Sequence, residues 1–82
     1  MKLSAWAAFL AETAVRGVQL HHRGGAVVGV WYADAEDVVD TRRRWVAAVL
    51  DSVDEDAGLV WWRGHVYART RGEALRRVAE EI

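Results

Sequence analysis

The sequence lacks cysteine, a long apolar run and an excess of charge of either sign. Without cysteine it has no disulfide framework, no thiolate zinc site and no thiol nucleophile. Because small secreted domains usually carry disulfides, we expect a cytoplasmic protein. The apolar N-terminal segment is interrupted by Glu12 and is shorter than the roughly 18 residues of a membrane-spanning helix. We therefore expect no interaction with a membrane.

The charges nearly balance, with eleven basic and twelve acidic residues and a net charge of −1. This composition makes no general case for a polyanionic partner such as nucleic acid. Hydrophobic residues make up 52% of the chain, which excludes a disordered protein. A chain of 82 residues is expected to form a single domain, residues 1–82, in which the five tryptophans supply much of the large buried area.

No pattern of catalytic or metal-binding residues stands out. His21 and His22 are neighbours on a predicted strand, so they point to opposite faces and cannot share one metal ion. No serine or threonine lies in a nucleophile-elbow pattern. The stretch GGAVVG lacks the spacing of a dinucleotide-binding loop, and DSVDEDAG lacks the glycine position and final glutamate of a calcium-binding loop. We expect no enzymatic activity, no catalytic residue, no metal and no cofactor.

The first third of the chain predicts a helix followed by a hairpin. Ser4 is expected to cap the helix. Gly24 and Gly25 separate two strand-like runs and predict a two-residue turn, because both accept a positive φ. One face of the hairpin would then carry Val18, Leu20, His22, Val27, Gly29 and Trp31. The other would carry Gln19, His21, Arg23, Ala26, Val28, Val30 and Tyr32. Because the second strand is apolar on both sides, we expect it inside the sheet.

The middle of the chain predicts the longest helix, beginning at Asp34. Apolar side chains recur at helical spacing from Val38 to Val53. Acidic residues would crowd the C-terminal end of this helix, where its dipole disfavours negative charge. Such a cluster could attract a basic partner through its field. Its members are Asp51, Asp54, Glu55 and Asp56.

The stretch LVWWRGHVYART mixes aromatic residues with arginine and histidine. It is either one strand or a hairpin about Arg63-Gly64. As one strand, its apolar face would carry Val60, Trp62, Gly64, Val66 and Ala68. Its mixed face would carry Leu59, Trp61, Arg63, His65, Tyr67 and Arg69. The mixed face has the composition of partner-binding surfaces. Val28, Val30 and Tyr32 would lie beside it, an apolar area that a partner, a second copy or a helix must cover.

Thr70 and Glu73 form a capping box at the start of a last helix, which directs Ala74, Leu75, Val78 and Ile82 inward. The stretch from Tyr67 to Ile82 loosely resembles the last strand and helix of small antitoxin-like and phage-type α+β proteins, and the resemblance transfers no catalytic residue.

The order α-β-β-α-β-(β)-α predicts a small single α+β domain. Its antiparallel sheet would have three or four strands, with helices packed mainly on one face.

These features favour a small non-enzymatic binding protein that acts by protein–protein contact, of an inhibitor, antitoxin or phage counter-defence type. The candidate partner-binding residues are Trp61, Arg63, His65, Tyr67 and Arg69 on the sheet and Asp51, Asp54, Glu55 and Asp56 in the acidic cluster. Two alternatives stay open. One is a nucleic-acid-binding module that uses tryptophan, tyrosine and arginine on the sheet, which the net charge disfavours. The other is a structural homo-oligomer, such as a homodimer, without catalysis.

Overall fold

The computed structural model describes residues 2–82. The elements are α1 (Ala5–Ala14), β1 (Gln19–Arg23), β2 (Ala26–Tyr32), β3 (Trp45–Asp54), β4 (Leu59–Ala68) and α2 (Arg71–Val78). Short 3-10 turns at Ala35–Asp37 and Ala79–Glu81 follow β2 and α2. The strands form one antiparallel sheet in the order β1-β2-β3-β4. The predicted α+β class and the antiparallel sheet are confirmed.

The β1–β2 hairpin has the predicted turn and register. Gly24 and Gly25 have φ angles of 55° and 83°, the positive values of a two-residue type I′ turn. Leu20 pairs with Gly29, so the hairpin side chains divide into the two expected faces. Residues 27–30 are buried, as expected for a strand with neighbours on both sides and packing on both faces.

The prediction of a long helix beginning at Asp34 is wrong. Asp34 precedes only a single 3-10 turn, and the chain enters β3 at Trp45. In the connecting loop Asp40 Oδ1 accepts hydrogen bonds from the backbone N–H and the Nε–H of Arg42 at 3.0 and 3.1 Å, a side-chain turn that competes with helix formation. Residues 46–50 are all buried. Such an apolar run suits a central strand as well as a helix, so its periodicity could not decide between them.

Strand β4 is continuous, and the alternative of a hairpin about Arg63-Gly64 is wrong. The glycine forms a β-bulge instead. Val49 pairs with Arg63 and Ala47 pairs with Val66, so two residues of β4 lie opposite one residue of β3. Gly64 has a φ of 65°, a left-handed conformation in which glycine is favoured. The bulge therefore shifts the alternation of side chains halfway along the strand.

The two helices pack on opposite faces of the sheet, whereas we expected them mainly on one. Ala74 and Val78 of α2 are buried in one cluster with Val28. Ala11 of α1 is buried in another cluster with Val27. Because Val27 and Val28 are adjacent on β2, their side chains point to opposite sides of the sheet. We call the two sides the α1 face and the α2 face.

The predicted N-caps of α1 and α2 are confirmed, whereas Asp34 makes no side-chain cap hydrogen bond. Ser4 Oγ accepts a hydrogen bond from a backbone N–H of the first turn of α1 at 3.0 Å, and Thr70 Oγ1 does the same for α2 at 3.1 Å. The predicted inward position of Ile82 is wrong. Helix α2 gives way to a 3-10 turn after Val78, and Ile82 is 50% exposed.

Candidate binding cleft

Helix α1 covers only one end of the sheet. Its ten residues span about 15 Å, less than half of the roughly 33 Å spanned by the ten residues of β3. The helix packs closely through the small side chains of Ala7 and Ala11, which are buried. Ala11 lies in a cluster with Leu50, against which Val60 also packs. Among the residues that the structure describes, no helix lies over the other end of the α1 face.

An open cleft of about 560 Å³ lies at this uncovered end, and we call it the sheet cleft. Its floor is a row of cross-strand neighbours. Trp31 of β2 pairs with Val46 of β3, which in turn pairs with Tyr67 of β4. His65 lies beside the row, with its ring edge-on to Trp31 and the two ring centroids 6.2 Å apart. Three aromatic rings therefore surround one buried valine.

Two connecting segments form the walls of the sheet cleft. Residues 15–17 lead from α1 to β1 and include the exposed Arg16. The second segment follows β2 and carries Asp34 and Asp37, which are both exposed. Within residues 2–82, neither of these two carboxylates has a hydrogen bond or an ion pair. The cleft thus combines an aromatic floor with two free carboxylates on one wall.

Trp62 supports the floor from beneath α1. Its ring lies 5.9 Å from that of Trp31, centroid to centroid. It also covers Gly29, where an added Cβ would come within 2.6 Å of two Trp62 ring carbons. An indole ring therefore fills the space that the absent side chain leaves at Gly29. In the described part of the chain, Trp62 Nε1 is buried without a hydrogen-bond partner. Apolar packing therefore holds this ring in position.

The bulge at Gly64 divides the predicted mixed face between the two sides of the sheet. Trp61 and Arg63 lie on the α2 face, opposite the side chain of Trp62. His65 and Tyr67 lie on the α1 face, in the sheet cleft. Only these two of the five predicted sheet residues are brought together there. Arg69 lies beyond the end of β4 and is exposed.

The acidic cluster lies in the β3–β4 hairpin and not at a helix end, so the argument from the helix dipole does not apply. Asp51 forms an ion pair with an arginine of β4 at 3.3 Å. Asp54 accepts a hydrogen bond from a backbone N–H of the hairpin turn at 3.0 Å. Glu55 accepts one from the Ser4 hydroxyl at 2.7 Å. Of the four, Asp56 alone has no partner within residues 2–82. The cluster is largely occupied by contacts inside the protein.

Most of the residues that line the sheet cleft were not among the predicted binding residues, including Trp31, Asp34, Asp37 and Val46. Trp31 was expected only on one face of the β1–β2 hairpin, and the other three were expected in the helix that does not form. One feature of the sequence could have indicated the acidic part of this site: Asp34 and Asp37 follow closely after an apolar strand that ends in Trp-Tyr. Only the register of β2, β3 and β4 shows that this strand end and Tyr67 lie side by side.

The structure defines a small α+β protein with a four-stranded antiparallel sheet between two helices and an open cleft on the α1 face. Among the described residues, no group of three or more acidic or histidine side chains is placed to hold a metal ion. Residues 2–82 contain no helix long and apolar enough to cross a membrane. Neither a protein-family model, nor a curated protein, nor a solved structure matches this chain.

Proposed function

We propose that the protein acts without catalysis by binding another protein, and that the sheet cleft is the contact site. One observation carries this proposal: exposed aromatic side chains lie in a concave site beside free carboxylates. Tyr67 is 43% exposed over the floor of the cleft. Tyrosine and tryptophan in pockets are typical of the residues that dominate binding energy at interfaces. A volume of about 560 Å³ accommodates a few side chains of a partner.

Three arginines near the aromatic residues are already engaged inside the protein, which favours a protein partner over nucleic acid. Arg63 donates to the backbone carbonyl of Glu81 at 3.2 Å. Arg71 donates to a glutamine of β1 at 2.8 Å, and Arg77 donates to the Tyr67 carbonyl at 2.8 Å. Phosphate contacts require guanidinium groups that are free to bind. The two carboxylates on the cleft wall would also repel a phosphate backbone.

The apolar area that suggested self-association is covered. Val28 and Val30 have no exposed surface, because α2 packs over them. Tyr32 remains exposed on this face, and the Arg44 guanidinium lies over its ring at 4.4 Å from the centroid. The α2 face therefore offers no continuous apolar surface at this point for a second copy, which supports a contact made through the sheet cleft.

Peptides selected from a displayed random library on the immobilised protein test this proposal without a known partner. Tyr67 and Trp61 provide a matched pair, since both lie on β4, on opposite faces, with 43% and 46% exposure. We expect Tyr67→Ala to weaken the binding of selected peptides at least about tenfold. Trp61→Ala should change it by less than about twofold. Circular dichroism of both variants checks that they are folded.

The opposite pattern, with binding lost in Trp61→Ala and retained in Tyr67→Ala, would contradict the proposal. Failure to recover any Tyr67-dependent peptide would do so as well. An oligothymidine single strand is the control for the nucleic-acid alternative. If it bound in a Tyr67-dependent way and more tightly than the selected peptides, that alternative would replace the proposal.

In its narrower form the proposal is that binding inhibits the partner, as an inhibitor, an antitoxin or a phage counter-defence protein does. The engaged arginines and the aromatic cleft beside two free carboxylates support action by contact. Once a partner is identified, its activity should fall in proportion to the bound fraction, and Tyr67→Ala should relieve the inhibition. A partner that stays active while it is bound would contradict the proposed inhibition but not the proposed binding.

A further inference from the structure

We infer that the sheet cleft binds an arginine side chain presented by a basic segment of the partner, an inference that rests on the proposed function. The cleft contains the two groups that attract a guanidinium. One is an aromatic floor that a flat cation can stack on. The other is a pair of carboxylates that it can approach with its edge. Trp31 and Tyr67 supply the first, and Asp34 and Asp37 supply the second.

The charges of the walls select a cation. Asp34 and Asp37 face the cleft without partners in the described chain, and Glu36 of the same 3-10 turn is also exposed. Arg16 is the one basic side chain among the lining residues other than the histidine. The two carboxylates therefore outnumber the one guanidinium in the lining of the cleft. The carboxylates would repel an anionic ligand. An apolar ligand would remove water from both carboxylates without supplying a compensating charge, which is unfavourable.

The aromatic floor favours arginine over lysine. A guanidinium is planar and weakly hydrated, so it stacks on an aromatic ring while its edge donates to carboxylates. The protein already contains one such contact, between Arg44 and Tyr32 on the α2 face. In the sheet cleft, Tyr67 is exposed to a similar degree but has no cation over it among residues 2–82. A partner can supply the missing guanidinium.

A second, smaller cleft adjoins the sheet cleft, so that more than one side chain of a partner can be accommodated. It has a volume of about 260 Å³ and shares Asp37 and Tyr67 with the sheet cleft. Its remaining lining includes the exposed Val39 and the ion pair between Asp40 and Arg43, whose atoms lie 3.6 Å apart. A segment that places arginine in the sheet cleft can therefore continue across this surface through apolar contacts.

The probes are acetyl-Ala-Arg-Ala-Arg-Ala-amide, its lysine analogue and its citrulline analogue, which keeps the shape of arginine without the charge. Chemical-shift titration of the whole protein by NMR measures affinity and location together. The arginine peptide should bind at the sheet cleft, with the citrulline peptide at least about tenfold weaker and the lysine peptide between them. Asp34→Asn with Asp37→Asn should weaken the arginine peptide about tenfold.

The matched control is Glu12→Gln with Asp56→Asn, which removes the same number of charges. Neither Glu12 nor Asp56 has a partner within residues 2–82 or lines the sheet cleft. This control should change the affinity by less than about twofold. Arg16→Gln should strengthen binding, because it removes a charge of the same sign as the peptide from the lining of the cleft.

Equal binding of the arginine and citrulline peptides would overturn the inference, and so would no saturable shift for either. The inference would also be overturned if the two double variants weakened the binding of the arginine peptide equally, because that would show only a long-range attraction between the peptide and the charge of the protein. Each of these results can be distinguished from a failure of the proposed function, that is, from the absence of any protein binding at the sheet cleft. If library peptides without arginine bind in a Tyr67-dependent way, the cleft is a binding site and only its ligand is misassigned.

Discussion

Single side chains under the sheet cleft determine the position of the aromatic rings that line it. Trp31 rests against Trp62, and the Trp62 ring occupies the space above Gly29. The indole N–H of Trp62 lacks an acceptor in the described chain, so close apolar packing has to compensate for the loss of its hydrogen bond to water. The absence of a side chain at Gly29 is therefore a requirement of the packing under the cleft.

We predict that Gly29→Ala lowers the free energy of unfolding by about 1–3 kcal/mol, because the new methyl group would overlap the Trp62 ring. The loss should be smaller in a Trp62→Phe background, which removes the two ring carbons nearest to the added Cβ. Urea unfolding of the single and double variants measures both effects. Gly72→Ala is the control, since nothing lies within 4 Å of the added Cβ, and it should be neutral or slightly stabilising. Equal losses at the two glycines would contradict this account.

The protonation of His21 gives the stability a pH dependence. Burial, followed by the charges of Arg71 and Arg23, lowers the pKa of His21 below its ordinary value of 6.5. In the folded protein its Nε2 lies 2.8 Å from the Arg71 guanidinium, so a neutral imidazole can accept a hydrogen bond there. The unfolded chain binds the proton at a higher pH than the folded one. The free energy of unfolding therefore falls as the pH decreases from about 6.5 through the folded-state pKa.

We predict that His21→Gln flattens this dependence, because glutamine cannot be protonated and its side-chain oxygen can still accept from Arg71. Urea unfolding at about pH 7.5 and about pH 5.5 measures the difference for the wild type and the variant. The wild type should lose more stability than the variant on acidification. The same loss in both proteins would show that His21 does not contribute.

At the scale of the elements, one bulge determines which side chains reach the sheet cleft. If Gly64 were a regular strand residue and not part of a bulge, the alternation of β4 would put His65 and Tyr67 on the same side as Trp61. With the bulge, they join Trp31 on the α1 face, and Val66 and Ala68 enter the α2 cluster. The left-handed conformation of Gly64 thus connects a backbone feature with the composition of the binding site.

We predict that Gly64→Ala lowers the free energy of unfolding by about 1–2 kcal/mol, because a side chain is unfavourable at a φ of 65°. Gly64→Asn should lower it less, since asparagine tolerates this conformation better. The added Cβ would lie 3.1–3.3 Å from side-chain atoms of Glu81, which can move aside. Thermal or urea unfolding ranks the variants. An alanine variant as stable as the asparagine variant would contradict the role given to the backbone conformation.

Elements with a local chemical signal were predictable from the sequence. The turn at Gly24-Gly25 and the caps at Ser4 and Thr70 depend on residues within a few positions of one another. Strand β3 has no such signal, because residues 46–50 are buried on both faces and their apolar run also fits a helix. The bulge at Gly64 was also hidden, since an Arg-Gly pair is as typical of a turn as of a bulge.

At the scale of the whole molecule, the sheet cleft results from a difference in length. The ten-residue strands β3 and β4 are covered on the α1 face by a helix of ten residues, and a helix rises less than half as far per residue as a strand. The exposed remainder brings together residues from β2, β3, β4 and two connecting segments. The sequence could place His65 and Tyr67 on a binding surface, but it could not supply the other side chains. Their proximity depends on a sheet register that includes a strand predicted as a helix.

The central claim is that a partner protein binds at the sheet cleft, and chemical-shift mapping by NMR with a peptide selected on the protein tests it most directly. The largest shifts should fall on the cleft floor and its acidic wall, at Trp31, Val46, His65, Tyr67, Asp34 and Asp37. Trp61, on the opposite side of β4, serves as the internal reference and should change little. Shifts centred on Trp61 and the α2 face, with the cleft residues unaffected, would contradict the claim.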